Sequence, residues 1–160
     1  MKSLKQLFCG FATSICQEPT EDDSFHPHEW SISGEALRNL AKQSFPGVQL
    51  HIWDRQFFYT SNEDWNEVVR RVLFNMPTYT AEKFDCENFA LLCSARTCEA
   101  FQLNTMGLAI GRIPAGYHGF NVFLARYGEE TEFYILEPQT GIFVPAAGET
   151  EYQVEEVIFG

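Results

Sequence analysis

Apolar positions recur at helical spacing in four stretches ahead of Thr105, and beyond it they change to the runs and alternations of strands. Leu4, Leu7, Phe8, Phe11 and Ile15 make one stripe, which predicts an amphipathic helix packed on the domain. Segment 17–28 is polar and acidic with Pro19 and Pro27, and reads as a linker. Ser33 then precedes Glu35, Ala36, Leu37, Leu40 and Ala41, a short helix stopped by Pro46-Gly47. Val48, Leu50 and Ile52 alternate as a strand. The aromatic run Trp53 to Tyr59 is expected to pack under the helix that begins near Cys86. Ser61 opens a further helix with Trp65, Val68, Val69, Val72 and Leu73 on its inner face, and Pro77 ends it. After an irregular stretch, 78–84, comes the Cys86 helix, with Phe89, Leu92, Cys93 and Phe101 facing inward. Strands are predicted at Met106–Ile110, His118–Tyr127, Thr131–Glu137, Ile142–Val144 and Tyr152–Phe159.

Helices first and antiparallel strands afterwards predict an α+β domain, its N-terminal helices packed on an antiparallel β-sheet. The organisation expected is an N-terminal helix and acidic linker over 1–28, then a single domain over 29–160. Fifteen phenylalanines in 160 residues support a well-filled interior. The formal charge of −11 repels nucleic-acid backbones and anionic membrane surfaces, so neither is expected as a partner. Five cysteines, an odd count with no zinc-ligand spacing, suit a reduced, cytoplasmic protein. The alternative is a cleaved signal peptide at Lys2–Ala12, although its apolar core is short.

Three polar residues sit where predicted elements begin or end. Cys86 lies in the first turn of a helix, where the macrodipole and unpaired N–H groups favour the thiolate. His118 opens one strand and Glu137 closes the next. A loop of even length between those strands would put both side chains on one face and an odd loop would put them on opposite faces; the sequence permits the first without fixing it. The expected roles are nucleophile for Cys86, general base and acid for His118, and an orienting carboxylate for Glu137. The Cys86 N–H is one oxyanion donor, and Tyr79 and Thr80 are candidates for the second. Each residue also has a plain structural reading: a packed cysteine, a satisfied histidine, the end of an edge strand. Asp85 and Glu87 would raise the thiol pKa by like charge, a penalty that a bound cation removes. His26 and His28, beside Asp22, Asp23 and Glu29, read as a solvated acidic loop rather than a metal site.

The segments Asp85-Cys86-Glu87-Asn88-Phe89-Ala90, His118-Gly119-Phe120-Asn121 and Ile135-Leu136-Glu137-Pro138-Gln139-Thr140 resemble the cysteine, histidine and glutamate blocks of papain-like cysteine protease domains. The likeness is to the type found at the C-terminus of Marasmius oreades agglutinin and in small bacterial and phage relatives, over roughly Val48 to Thr140. The resemblance implies a papain-like (transglutaminase-like) fold and a Cys86–His118–Glu137 triad. It also implies activation by calcium or manganese, with Asp85, Glu87, Asn88 and Gln139 contributing to the metal site. The expected function is therefore a cysteine peptidase, a thiol hydrolase acting on a peptide or protein substrate. The alternatives are a transglutaminase-like acyltransferase and a non-enzymatic acidic binding protein on the same fold, such as a phage or bacterial accessory factor.

Overall fold

The computed structural model describes residues 24–147 and 150–160. The helix expected at Leu4–Ile15 and most of the 17–28 linker lie outside the described residues. Eleven elements follow in order: β1 (Trp30–Ser33), α1 (Gly34–Ser44), β2 (Gln49–Ile52), β3 (Gln56–Ser61), α2 (Asn62–Val72), α3 (Cys86–Phe101), β4 (Gly107–Ile113), β5 (Gly116–Tyr127), β6 (Glu130–Glu137), β7 (Ile142–Pro145) and β8 (Gln153–Phe159).

Serines begin the first two helices because a hydroxyl satisfies a backbone donor that the helix itself leaves unpaired. Ser33 Oγ accepts from the Ala36 N–H at 3.2 Å, and Ser61 Oγ accepts from the Asp64 N–H at 3.0 Å. In α2 the first turn is acidic (Glu63, Asp64) and the last is basic (Arg70, Arg71), which complements the helix dipole.

The strands join in one eight-stranded sheet, ordered β1-β3-β5-β4-β8-β2, with β6 on β5 and β7 on β6. β5 is the hub. β4 pairs antiparallel with its first half, from Gly116 to Val122, and β6 pairs antiparallel with its second half, from Asn121 to Tyr127. Ala125 and Arg126 are paired to β6 on one edge, so β3 joins them in parallel on the edge that β4 has left. β2 joins β8 in parallel as well.

This corrects the expected fold class. The structure is a strand-dominated, mixed sheet of eight strands with three helices, not a papain-like α+β arrangement of N-terminal helices on an antiparallel sheet. The physical reason lies in β1 and β3. Both are short and run directly into the start of a helix, β1 into α1 and β3 into α2, where an apolar run is easily read as loop or helix flank.

The sheet is buried on both faces. Phe120, Val122, Leu124, Phe133 and Ile135 pack with Leu37 and Ala41 of α1. Phe123, Ala125, Tyr134 and Leu136 pack with Trp65, Val68 and Val72 of α2 and Cys93 of α3. β5 and β6 therefore read as near-continuous apolar runs, as doubly covered strands do. The aromatic run at Trp53 departs from expectation. Trp53 is 73 % exposed, and Phe57 and Tyr59 belong to the core under α1 rather than to the one beneath α3.

Trp65 ties α2 to β5. It is fully buried, its Nε1–H donates to the Leu124 carbonyl at 2.9 Å, and its ring lies 4.6 Å from that of Phe123. Trp65→Ala removes that packing and leaves the carbonyl unpaired. Urea unfolding should show a loss of about 3–5 kcal/mol, and a loss under about 1 kcal/mol would mean that α2 is not anchored there.

Candidate functional site

α3 starts at the end of the sheet, and its first turn rests directly on β5. A Cβ on Gly119 would come within 2.7 Å of the Glu87 Cα and N, so only glycine lets the helix approach this closely. One turn further on, the buried Asn121 amide donates to Ala90 O (2.9 Å), Ser94 Oγ (3.0 Å) and Gly107 O (3.1 Å). Asn121 thus joins α3, β5 and β4 through one side chain. Sequence reasoning gave neither residue a role; the available signal was a small residue and an amide alternating within an otherwise apolar strand.

The β5–β6 turn is two residues long, with Tyr127 opposite Glu130 and Gly128 at φ 61°. That register puts even residues of β5 opposite odd residues of β6, and His118 and Glu137 share a face. His118 Nε2 and Glu137 Oε2 are 2.5 Å apart, and both side chains are largely buried. Glu137 Oε1 accepts from the Gln139 N–H at 3.2 Å, and Oε2 also accepts from the Tyr152 hydroxyl at 3.4 Å. With Nε2 committed to the carboxylate, Nδ1 is the ring nitrogen left for the cleft.

Cys86 and His118 line one cavity of about 250 Å³ together with Glu87, Ile110, Tyr117 and Gly119. The structure therefore gathers Cys86, His118 and Glu137 at one end of the sheet. The thiol itself donates to Glu87 Oε2 at 3.3 Å. Burial pushes the Cys86 thiol above its usual range and the Glu87 carboxylate adds to this, while the Gly119 N–H favours the thiolate. Cys93, wholly buried, is pushed up to about 12 by desolvation and is a packing residue.

The proposed metal ligands do not assemble as a set. Asn88 Oδ1 is engaged as a cap, accepting from the Asp85 N–H at 3.2 Å, and Gln139 lies in the turn after β6. Asp85 Oδ2 accepts from the Glu82 N–H at 3.2 Å, whereas its buried Oδ1 has no partner. Hydrogen bonding to Glu87 pushes Asp85 up, and Glu87 is held down by its own backbone N–H and by the Cys86 thiol. The two carboxylates thus act on each other in opposite directions, Asp85 upward and Glu87 downward. Among the described residues no group of three or more His, Cys, Asp or Glu side chains forms a metal site. The pair Asp85 and Glu87, with its orphaned oxygen, is the part that suits a hard cation.

Other candidates fall outside the cleft. The Thr80 N–H is bonded to Phe84 O at 2.8 Å and Tyr79 is exposed, so neither serves as the second oxyanion donor; the Gly119 N–H is the donor that reaches the sulfur. The His28 ring lies against Trp30, and its N–H donates to Asp64 at 2.8 Å. Asp22 and Asp23 lie outside the described residues. Among those described, no helix is long and apolar enough to cross a membrane.

No family model and no curated protein matches the chain. Solved structures do. One, described as a PSL1a–E64 complex, superposes with a TM-score of 0.63 at 20 % identity over 81 % of this chain and 50 % of that one. A second is Polyporus squamosus lectin bound to the human-type influenza-binding epitope Neu5Acα2-6Galβ1-4GlcNAc. It gives a TM-score of 0.62 at 21 % identity over 81 % of this chain and 49 % of that one. The chain spans about half the length of the solved chains it matches, and identity at this level shows the fold alone. These matches correct the reading of the sequence as a papain-like protease domain. The structures that share the fold are described as a lectin and its complexes, not as a peptidase, so the expected cysteine peptidase, with its hydrolase and acyltransferase variants and its peptide substrate, is not retained.

The Glu87 contact has a measurable consequence. Glu87→Gln removes the charge that holds the thiol proton, and because that charge raises the Cys86 pKa, its loss must lower it. The pH profile of Cys86 alkylation by iodoacetamide should move to lower pH in Glu87→Gln, with Cys93 and Cys98 unchanged. A shift in the opposite direction would show that Glu87 does not face the sulfur.

Proposed function

We propose that this chain is a ligand-binding protein whose site is the cleft at Cys86, and that Cys86 acts there as a nucleophilic thiol toward an electrophilic ligand. The observation that carries this reading is the His118–Glu137 pair at 2.5 Å on the wall of the cavity that holds the sulfur. In this reading His118 takes the thiol proton and the sulfur forms a bond to the electrophilic carbon. The same proton then passes to the oxygen freed on the ligand. Glu137 fixes the imidazole so that Nε2 is the protonated nitrogen. The Gly119 and Cys86 N–H groups stabilise charge on sulfur or on the ligand oxygen. A calcium or manganese ion held by Asp85 and Glu87 would offset their charge and draw Glu87 away from the thiol.

The test uses E64, the compound named with one structural neighbour, whose epoxide opens on attack by a thiolate. E64 should add to Cys86 and to neither Cys93 nor Cys98, as read by peptide mass spectrometry. His118→Ala should slow the addition by about 10²-fold or more, the scale of a lost general base. Labelling spread evenly over the five cysteines, or unaffected by His118→Ala, would rule this reading out.

A carbohydrate ligand is the second reading, and Tyr117 favours it. Its ring is 61 % exposed at the cleft mouth. The Arg112 guanidinium backs it at 4.6 Å, and its hydroxyl donates to Glu155. A rigid aromatic face with a charged pair beside it suits the C–H face and hydroxyls of a sugar ring. One structural neighbour is a lectin described with a sialylated epitope. On a glycan array that includes Neu5Acα2-6Galβ1-4GlcNAc, the chain should bind a defined glycan set, and Tyr117→Ala should weaken this by about tenfold. Binding that Tyr117→Ala leaves intact would place the sugar elsewhere, and no binding to any glycan would remove the reading.

A further inference from the structure

We propose that Tyr152 is the positioning residue of this site: it holds the Glu137 carboxylate against the His118 imidazole and so keeps that imidazole oriented toward Cys86. The proposal rests on the reading of Cys86 as a nucleophile given above.

Tyr152 lies just before β8, 15 residues from Glu137 in sequence, and is fixed at two points besides its hydroxyl. Its N–H donates to Thr150 Oγ1 at 2.9 Å, and its ring meets Phe120 edge-on at 4.9 Å. The other neighbour of Phe120 is His118, whose ring is stacked on it at 6.1 Å with an angle of 25°. His118, Phe120, Tyr152 and Glu137 thus form a closed ring of four side chains, with Glu137 Oε2 bridging the imidazole and the phenol.

A carboxylate at a strand end has free rotation about its last bonds unless both oxygens are engaged. In Glu137, Oε1 is taken by the Gln139 N–H and Oε2 by His118, and among the described residues Tyr152 is the further side chain bonded to it. The phenol donates rather than accepts, because burial and the neighbouring Glu137 charge push it up to about 12, so it stays protonated wherever the site would work. The groups facing His118 are Glu137 from β6, Cys86 and Glu87 from α3, Tyr117 on its own strand, and Tyr152, with Glu151 beside Tyr152. Of these, Tyr152 is a neutral group that bonds the Glu137 carboxylate directly. Sequence reasoning took it only as the start of the last strand.

The experiment is the time course of iodoacetamide alkylation of Cys86 at neutral pH in four chains: unsubstituted, Tyr152→Phe, Glu137→Gln and the double variant. Tyr152→Phe keeps the ring and its contact with Phe120. It should slow the reaction about fivefold, as loss of one hydrogen bond does. Glu137→Gln should slow it further, and the double variant should match Glu137→Gln alone, because Tyr152 acts through that carboxylate. If Tyr152→Phe slows the reaction equally in both backgrounds, or not at all while Glu137→Gln does, the role of Tyr152 is overturned. If the rate at Cys86 is indifferent to His118→Ala, the nucleophile reading falls and this inference falls with it. A second readout needs no change at position 152. The Tyr152 13Cζ resonance should shift on Glu137→Gln, and its failure to do so would show that the hydroxyl does not bond that carboxylate.

Discussion

The contact on which the site depends is the seating of the first turn of α3 on Gly119. A helix start is useful chemically only if its free N–H groups and its first side chains reach another element, and here the distance to the strand leaves no room for even a methyl group. Asn121 then holds the seat, because its amide reaches both the helix and β4 from inside the core. Everything else at this end of the sheet follows from that seat. Cys86 faces the Gly119 N–H, and the cavity opens between the helix start and the β4–β5 hairpin. His118, one residue before the glycine, sits on the strand face shared with Glu137. Moving the helix outward by the width of a methyl group would separate the sulfur from its donor while leaving the core almost unchanged.

The electrostatics of the seat work against the nucleophile. A thiol at a helix N-terminus is expected to ionise easily, yet burial and Glu87 hold this one protonated. Two carboxylates within two residues of the sulfur cost reactivity unless something else neutralises them, and they also act on each other, raising Asp85 and lowering Glu87. The imidazole–carboxylate pair lies on the opposite wall and acts in the other direction. The resting site is therefore balanced, and a change on either wall (a cation at Asp85 and Glu87, or a displaced Glu137) tips it.

Much of this was legible in the sequence, and the parts that were not share a cause. Helix starts at Ser33 and Ser61 and the stripe from Trp65 to Val72 are local signals, written in residues a few positions apart. The hairpin register was legible only in part, because the sequence shows a turn near Gly128, Glu129 and Glu130 without fixing whether the loop is even, and the two-residue turn is seen only in the structure. The strand partners were not. β3 lies in parallel on β5 from 65 residues away, and β2 lies in parallel on β8 from farther still, and no local pattern encodes such pairings. The same holds for the site. Cys86, His118 and Glu137 each sit at a visible break in the pattern, whereas Gly119, Asn121 and Tyr152 carry their roles only through contacts made after folding.

The comparison with solved structures sharpens that distinction. Identity near 20 % with a TM-score of 0.63 means that the sheet and its helices are held in common while most side chains differ. Backbone geometry of this kind is fixed by core volume and by close contacts such as the one at Gly119, and it tolerates wide substitution elsewhere. What the fold carries from one chain to another is the course of the backbone, and in this chain that course builds the seat: a helix start against a strand with a cavity between them. What the seat holds is decided by residues that the fold leaves open. In this chain, a thiol facing an acidic pair on one wall and a phenol-held carboxylate on the other give the cleft a chemistry that neither the shared backbone nor the apolar pattern specifies.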